Sequence, residues 1–208
     1  MRALMFALAL AVCAAPVLAQ PAQAPGKTGV AKTTAAARAI PVAPAAQWRV
    51  VPASSSIGFA SSMEGTAFRG VFTRWSATIR FDPANLAGSS ARVEVDPASA
   101  NSGVADRDLT LREADWFDTA RHPRAVFQST AIRHVSGKFY EADGSLTVKG
   151  RATPVLLRFA LTINGDNAEM QGALTLDRVR LGLGGAIDTD MAPAAVAVSV
   201  RVRATRIP

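Results

Sequence analysis

The chain has 208 residues and a formal net charge of +7 at neutral pH, which allows one domain with a substantial core and leaves no room for a second of ordinary size. One cysteine and two histidines remove most disulfide, thiolate-metal and redox chemistry. The basic balance favours anionic partners, but there is no basic stripe interleaved with aromatics, so nucleic acid is excluded; a basic surface kept for solubility explains the charge equally well.

Met1-Arg2 is a short positive start, Ala3 to Val12 is an apolar run, and Val17-Leu18-Ala19 offers small-residue cleavage before Gln20. Residues 1–19 therefore read as a secretory signal peptide. A membrane anchor needs about 20 unbroken apolar residues, and Pro16 interrupts this run. Cys13 leaves with the leader; acylation there is disfavoured by Val12, where a small residue is expected. From residue 20 to residue 46 the composition is mainly Ala, Pro, Gln, Lys and Thr, too poor in large apolar groups to offset ordering entropy, which predicts a disordered linker. The composition changes at Gln47-Trp48-Arg49-Val50, and residues 47–208 read as one domain.

That domain is dominated by alternation. Short alternating stretches occur at Ile57 to Phe59, Ala91 to Val95, Ala125 to Ala131 and Leu146 to Val148. Longer ones place Val155, Leu157, Phe159, Leu161 and Ile163 on one face, and Val196, Val198, Val200, Val202 and Ala204 on another. Period two with one apolar face predicts strands, and Asp82-Pro83, Lys149-Gly150-Arg151 and Asn164-Gly165 punctuate them as turns. Between Phe68 and Phe81 the apolar phase slips, which predicts a bulge near Thr73-Arg74. Asp143-Gly144 reads as a bulge inside a strand from Lys138 to Lys149 in preference to a hairpin turn.

Between Pro97 and Pro123 the pattern breaks, and Asp106 to Asp118 reads as a short helix running into a loop that carries Trp116 and Phe117. A connection this long in a β-domain is usually functional. Many strands plus one helical crossover predict an all-β antiparallel barrel, which removes exposed edges.

Catalytic constellations are absent from the pattern. There is no Gly-x-Ser-x-Gly, and His122 and His134 read as a turn cap and a solvated strand end. Two histidines with no clustered carboxylates make no metal shell. Gly182, Gly184, Gly185 and Ala186 lack the following helix of a nucleotide loop and read as barrel rim. Asp106, Asp108, Asp115 and Asp118, with Arg107 and Arg112, read as bracing the crossover.

Several stretches together carry a resemblance. They are Ser56-Ile57-Gly58-Phe59-Ala60, Phe68-Arg69-Gly70-Val71-Phe72, Ile79-Arg80-Phe81-Asp82-Pro83, and Arg107-Asp108 with Leu111 and Asp115-Trp116-Phe117-Asp118. They continue through His122-Pro123-Arg124-Ala125-Val126-Phe127-Gln128-Ser129, Gly144-Ser145-Leu146-Thr147-Val148-Lys149-Gly150, and Arg178 with Leu181-Gly182-Leu183-Gly184. In order and spacing, Trp48 to Arg206 resembles the YceI family of polyisoprenoid-binding, lipocalin-like periplasmic proteins.

The resemblance implies an extended eight-stranded antiparallel lipocalin-like barrel with a short helical crossover near one mouth. It implies a non-enzymatic periplasmic carrier whose apolar tunnel holds an isoprenoid lipid or quinone, with no other cofactor. Phe59, Phe68, Phe72, Trp75, Phe127, Leu146 and Phe159 are the candidate lining residues, and sequence alone leaves open whether they line a hollow or fill a core. Trp116 and Phe117 are candidates for a gate. Arg178 is placed to meet a phosphate or carbonyl head group, with a salt bridge to one of the crossover aspartates as the other reading. Many members carry a histidine early in the second strand, where this chain has Ser61-Ser62-Met63-Glu64, so a ligand's polar end would be met differently. Relatives lacking it resemble forms associated with membrane cytochrome b561, which implies that cytochrome as a partner; a homodimer is a further expectation. The second functional reading is an envelope protein-protein module whose barrel is filled by its own side chains.

Overall fold

The computed structural model describes residues 45–208. The leader and nearly all of the predicted linker lie outside the described residues. Eleven strands form one antiparallel sheet: β1 (Gln47–Val50), β2 (Ser56–Met63), β3 (Thr66–Phe72), β4 (Trp75–Arg80), β5 (Ser90–Val95), β6 (Ala100–Asn101), β7 (Ala125–Ser136), β8 (Phe139–Val148), β9 (Arg151–Asn164), β10 (Asn167–Asp177) and β11 (Ala195–Arg206). The single α-helix among the described residues, α1 (Ala105–Thr110), lies in the crossover between β6 and β7.

Three pairs of short strands are single wall positions broken by a kink. β1 and β2 both pair with β11, through Trp48↔Arg206 and Ile57↔Val200, and are separated by a 3-10 turn at Pro52–Ser54. β3 pairs with β2 and β4 with β1, so they too form one bent strand, broken at Thr73-Arg74. β5 and β6 flank a second 3-10 turn, Pro97–Ser99, and pair with β4 and β3 in turn. With β7 to β11 these make a closed barrel of eight positions, so the expected architecture is present.

The phase slip between Phe68 and Phe81 is a strand break, not a bulge. Thr73 and Arg74 are consecutive exposed residues, and the half-buried positions shift from Phe68, Gly70 and Phe72 to Trp75, Ala77 and Ile79. β8 runs straight through Asp143-Gly144, as expected, but the extra residue is Thr130 on the neighbouring strand, where Ser129 pairs with Gly144 and Ala131 with Asp143. Asp143-Gly144 faces the bulge without making it. The β2–β3 and β8–β9 hairpins close on Glu64-Gly65 (φ 50° and 76°) and Lys149-Gly150 (φ 48° and 73°), the two left-handed residues that match a tight turn to strand twist.

Burial along the long strands locates the solid and hollow parts. The inward face of β11 passes from half-buried Val196, Val198 and Val200 to buried Val202 and Ala204. The far end is therefore packed: Trp48, Phe81, Ile132, Ala142 and Phe159 join Val202 and Ala204 in one cluster, and the Trp48 indole donates to the Phe81 carbonyl at 2.9 Å. Toward the helix end the inward faces have no partner of their own, since a fully packed core would bury them.

On the outer face, Glu141 accepts from Arg158 (3.0 Å) and Arg133 (3.0 Å), and Arg133 also pairs with Asp143. The hydrogen bonds from Arg158 and then Arg133 hold the Glu141 carboxyl below the usual glutamate value of 4.5, against the opposing effect of desolvation. A lowered folded-state value stabilises the fold above the unfolded value and is lost as pH falls through the folded one. The melting temperature is therefore expected to stay level above about pH 5 and to fall in more acid solution. Glu141→Gln should make that acid limb shallower in a pH series of thermal melts while costing little at neutral pH, because exposed pairs contribute little.

Candidate ligand-binding site

The hollow begins under the helix end. A cavity of about 240 Å³ is enclosed by the inward faces of the strands and roofed by Leu111, Trp116, Phe117, Leu181, Leu183 and Ala192. Its lining is apolar apart from Ser61, Ser62 and Arg178. A second cavity of about 90 Å³ continues toward the packed end, sharing Ile79, Ala91, Phe127, Leu157, Met170 and Val202 with the first.

Phe59, Phe68, Phe72, Trp75, Trp116, Phe117, Phe127, Leu146 and Arg178 line the main cavity. Phe159 does not: it is 9% exposed, belongs to the packed end and reaches only the smaller cavity. Alternation placed it on the correct face, but depth along the barrel is invisible to a period-two pattern. The aliphatic inward faces of β10 and β11, Leu174, Leu176, Val196, Val198 and Val200, line it as well. Their strict alternation was the signal that could have included them.

Aromatic rings stand in a row along one wall, Phe59 at 5.2 Å from Phe72 and Phe72 edge-on to Phe117 at 6.0 Å. Two lumen-facing glycines make room for rings. A Cβ at Gly70 would lie 2.3 Å from the Phe59 ring, and one at Gly144 would lie 2.4 Å from Phe127.

Arg178 requires a correction on both readings. It is 2% exposed, and its guanidinium donates to the carbonyls of Pro193 (3.1 Å), Leu183 (3.0 Å), Gly184 (2.6 Å), Ile187 (3.0 Å) and Ala192 (2.6 Å). A guanidinium has five N–H donors, so none is left for a head group, and no aspartate is bonded to it. Its work is to gather the rim loop between β10 and β11 into a roof.

Trp116 is packed into that roof. A Cβ at Gly184 would lie 2.9 Å from its ring, Gly184 donates its N–H to the Asp115 carbonyl at 2.7 Å, and Arg178 lies 5.9 Å from the ring centroid. Gly184 has φ 58°, so the loop needs its glycine both for conformation and for the close approach. The β2–β3 hairpin closes the roof from its other side through Glu64 N–H to the Met191 carbonyl at 2.7 Å.

The crossover is braced differently from expectation. Asp108 accepts from the Ser102 N–H at 2.8 Å and buried Asp118 pairs with Arg121 at 3.6 Å, whereas Arg107 lies over the Phe68 ring at 4.2 Å. The histidines are peripheral: the His122 N–H donates to the Asp118 carbonyl, and the exposed His134 ring bonds the Gly137 carbonyl. Among the described residues no three His, Cys, Asp or Glu side chains converge as a metal shell would require, and no helix is long and apolar enough to cross a membrane.

Barrel, roof and crossover coincide with a known domain: residues 48–205 match the YceI-like domain. The chain belongs to the YceI-like family. A UPF0312 protein of Vibrio cholerae is 34% identical over 151 residues, covering 71% of this chain and 75% of that one. Protein YceI of Escherichia coli O157:H7 is 31% identical over 139 residues, covering 63% and 69%. The crystal structure of Burkholderia cenocepacia BcnA superposes on this YceI-like barrel with a TM-score of 0.72 at 31% identity, over 76% of this chain and 100% of BcnA. A polyisoprenoid binding domain from Saccharophagus degradans shares the fold, with a TM-score of 0.64 at 16% identity over 78% and 99% of the two chains.

Proposed function

We propose that this YceI-like protein is a non-catalytic carrier that holds one long apolar isoprenoid-type lipid, a polyprenyl chain or a quinone tail, in its barrel. The observation that carries the reading is the cavity itself: about 240 Å³ of space walled by half-buried apolar side chains, with the donors of its one charged residue already bonded. Each methylene moved from water into such a space gains about 0.8 kcal/mol, so a long tail binds without a polar anchor. Ser61 and Ser62 are the neutral hydroxyls at the roof end and suit a polar end that accepts hydrogen bonds.

The shared fold of a polyisoprenoid binding domain supports the same ligand class. The carrier works in the periplasm after removal of residues 1–19, and uses no cofactor beyond its lipid. Native mass spectrometry of the protein purified from its own cell envelope is expected to show one bound lipid per chain, with an isoprenoid tail on extraction. An empty barrel that also refuses added quinones would instead favour an envelope protein-protein module acting with a membrane complex such as a cytochrome b561.

A further inference from the structure

Both ends of the barrel are tied shut and its side is not. The roof is knitted by Arg178 and by the contacts of Gly184 and Glu64, and the far end is packed around Trp48. In the wall between the bent strands β1–β2 and β3–β4, pairing stops at Trp48↔Ile79 and resumes only at Ile57↔Phe72. Between those registers each strand is bonded to its other neighbour. Val51 donates to the Arg203 carbonyl at 2.8 Å and Ser55 Oγ accepts from the Arg203 N–H at 3.0 Å, whereas Thr73 donates to the Ser99 carbonyl at 3.1 Å and Asp96 to the Arg74 carbonyl at 3.0 Å.

The gap so left is a cleft of about 610 Å³. Its lining decides its depth. Outward-facing Arg49, Val71, Ser76 and Thr78 line it, and so do lumen-facing Phe72, Trp75 and Ala77, which also wall the main cavity. In a strand the two parities point to opposite faces, so a space that touches both passes between the strands. Those lumen-facing side chains, with inward-facing Trp48 and Val50, stand between the cleft and the apolar interior.

We infer that this cleft is a lateral portal, through which the apolar chain of the ligand enters and leaves the barrel sideways while the roof stays closed. The inference rests on the carrier reading. Widening the gap breaks no ladder hydrogen bond, because none spans it, and such weakly paired segments are where local opening is easiest. Opening the roof instead would strand the carbonyls that Arg178 satisfies. The hydroxyls of Ser56, Thr73, Ser76 and Thr78 give the outer lip a polar edge, suited to the ligand's polar end in transit.

The test closes the portal reversibly. Continuing the β2–β3 register places Ser56 opposite Thr73, and the sole natural cysteine is Cys13 in the leader, so Ser56→Cys with Thr73→Cys adds an isolated pair to the exported chain. Decylubiquinone is the probe, followed by quenching of tryptophan fluorescence in stopped flow, with geranylgeraniol as a competitor at equilibrium. The oxidised variant is expected to keep the parent equilibrium affinity while association and release both slow at least about tenfold, and dithiothreitol should restore the rates. Ser76→Trp, which covers the cleft from outside without a crosslink, should slow both rates as well. Unchanged rates in both variants overturn the portal and leave the carrier standing. Failure of the parent chain to bind either probe overturns the carrier reading, and the portal with it.

Discussion

Arg178→Ala is expected to destabilise the barrel by at least about 3 kcal/mol, read as a fall in melting temperature of roughly 6–12 °C for a domain of this size. The side chain is 2% exposed and satisfies the carbonyls of five residues of the rim loop. Alanine leaves those oxygens in a space too confined to hydrate all of them, and each unpaired buried acceptor costs about 1–3 kcal/mol; relaxation of the loop recovers part of the total. Arg178→Lys should recover less than half of the loss, because an ammonium is a point donor that cannot span a fork of carbonyls. Thermal melts and urea titrations supply the stability, and quinone titration below the melting range supplies the affinity. A variant that melts like the parent and has lost its affinity would restore the head-group contact that the hydrogen bonds here exclude.

Arg178 also marks the limit of what could be read before the fold was known. Its isolation near an apolar rim was visible, but its partners are main-chain carbonyls, and no side-chain pattern announces a carbonyl. The barrel was legible because alternation is a direct imprint of one buried face: every inward position assigned on β9 and β11 is buried or half-buried. The kinks were legible only as phase. The slip near Thr73-Arg74 could be located from parity, yet a bulge and a strand break produce the same slip. What separates them is whether the neighbouring strand stays in register, and here it does not. The lining residues were legible as a face and not as a depth, which is why Phe159 fell among them although it packs at the closed end. The cleft had no signature at all, because the gap is the loss of pairing between neighbouring bent strands, from Trp48↔Ile79 to Ile57↔Phe72, and alternation within one strand does not report pairing with the next.

Gly70→Ala is expected to weaken binding of an isoprenoid chain by about ten- to a hundredfold, the loss of two to four methylene contacts, with a much smaller effect on stability. Gly70 faces the lumen directly across from Phe59 in the β2–β3 register. A Cβ there would lie 2.3 Å from one Phe59 ring atom and 2.8 Å from two others, so the ring has to move. Phe72 stands 5.2 Å away along the wall, which leaves the hollow as the direction open to it, and the displaced ring then occupies ligand space. Overpacking costs about 1–3 kcal/mol in a filled core, but here the ring swings into a cavity, and replacing glycine within a strand returns about 0.5–1 kcal/mol. Gly144→Ala provides the contrast. Its Cβ would meet the Phe127 ring at 2.4 Å and also the Gln128 carbonyl oxygen at 2.7 Å, and main chain held in a ladder cannot swing aside. That variant should lose stability, by about 1–3 kcal/mol, more clearly than it loses affinity. Melting temperature and quinone titration on the two variants together make the comparison. If both glycines changed stability alike and neither changed affinity, the rings above them would be packing elements rather than the wall that sizes the cavity.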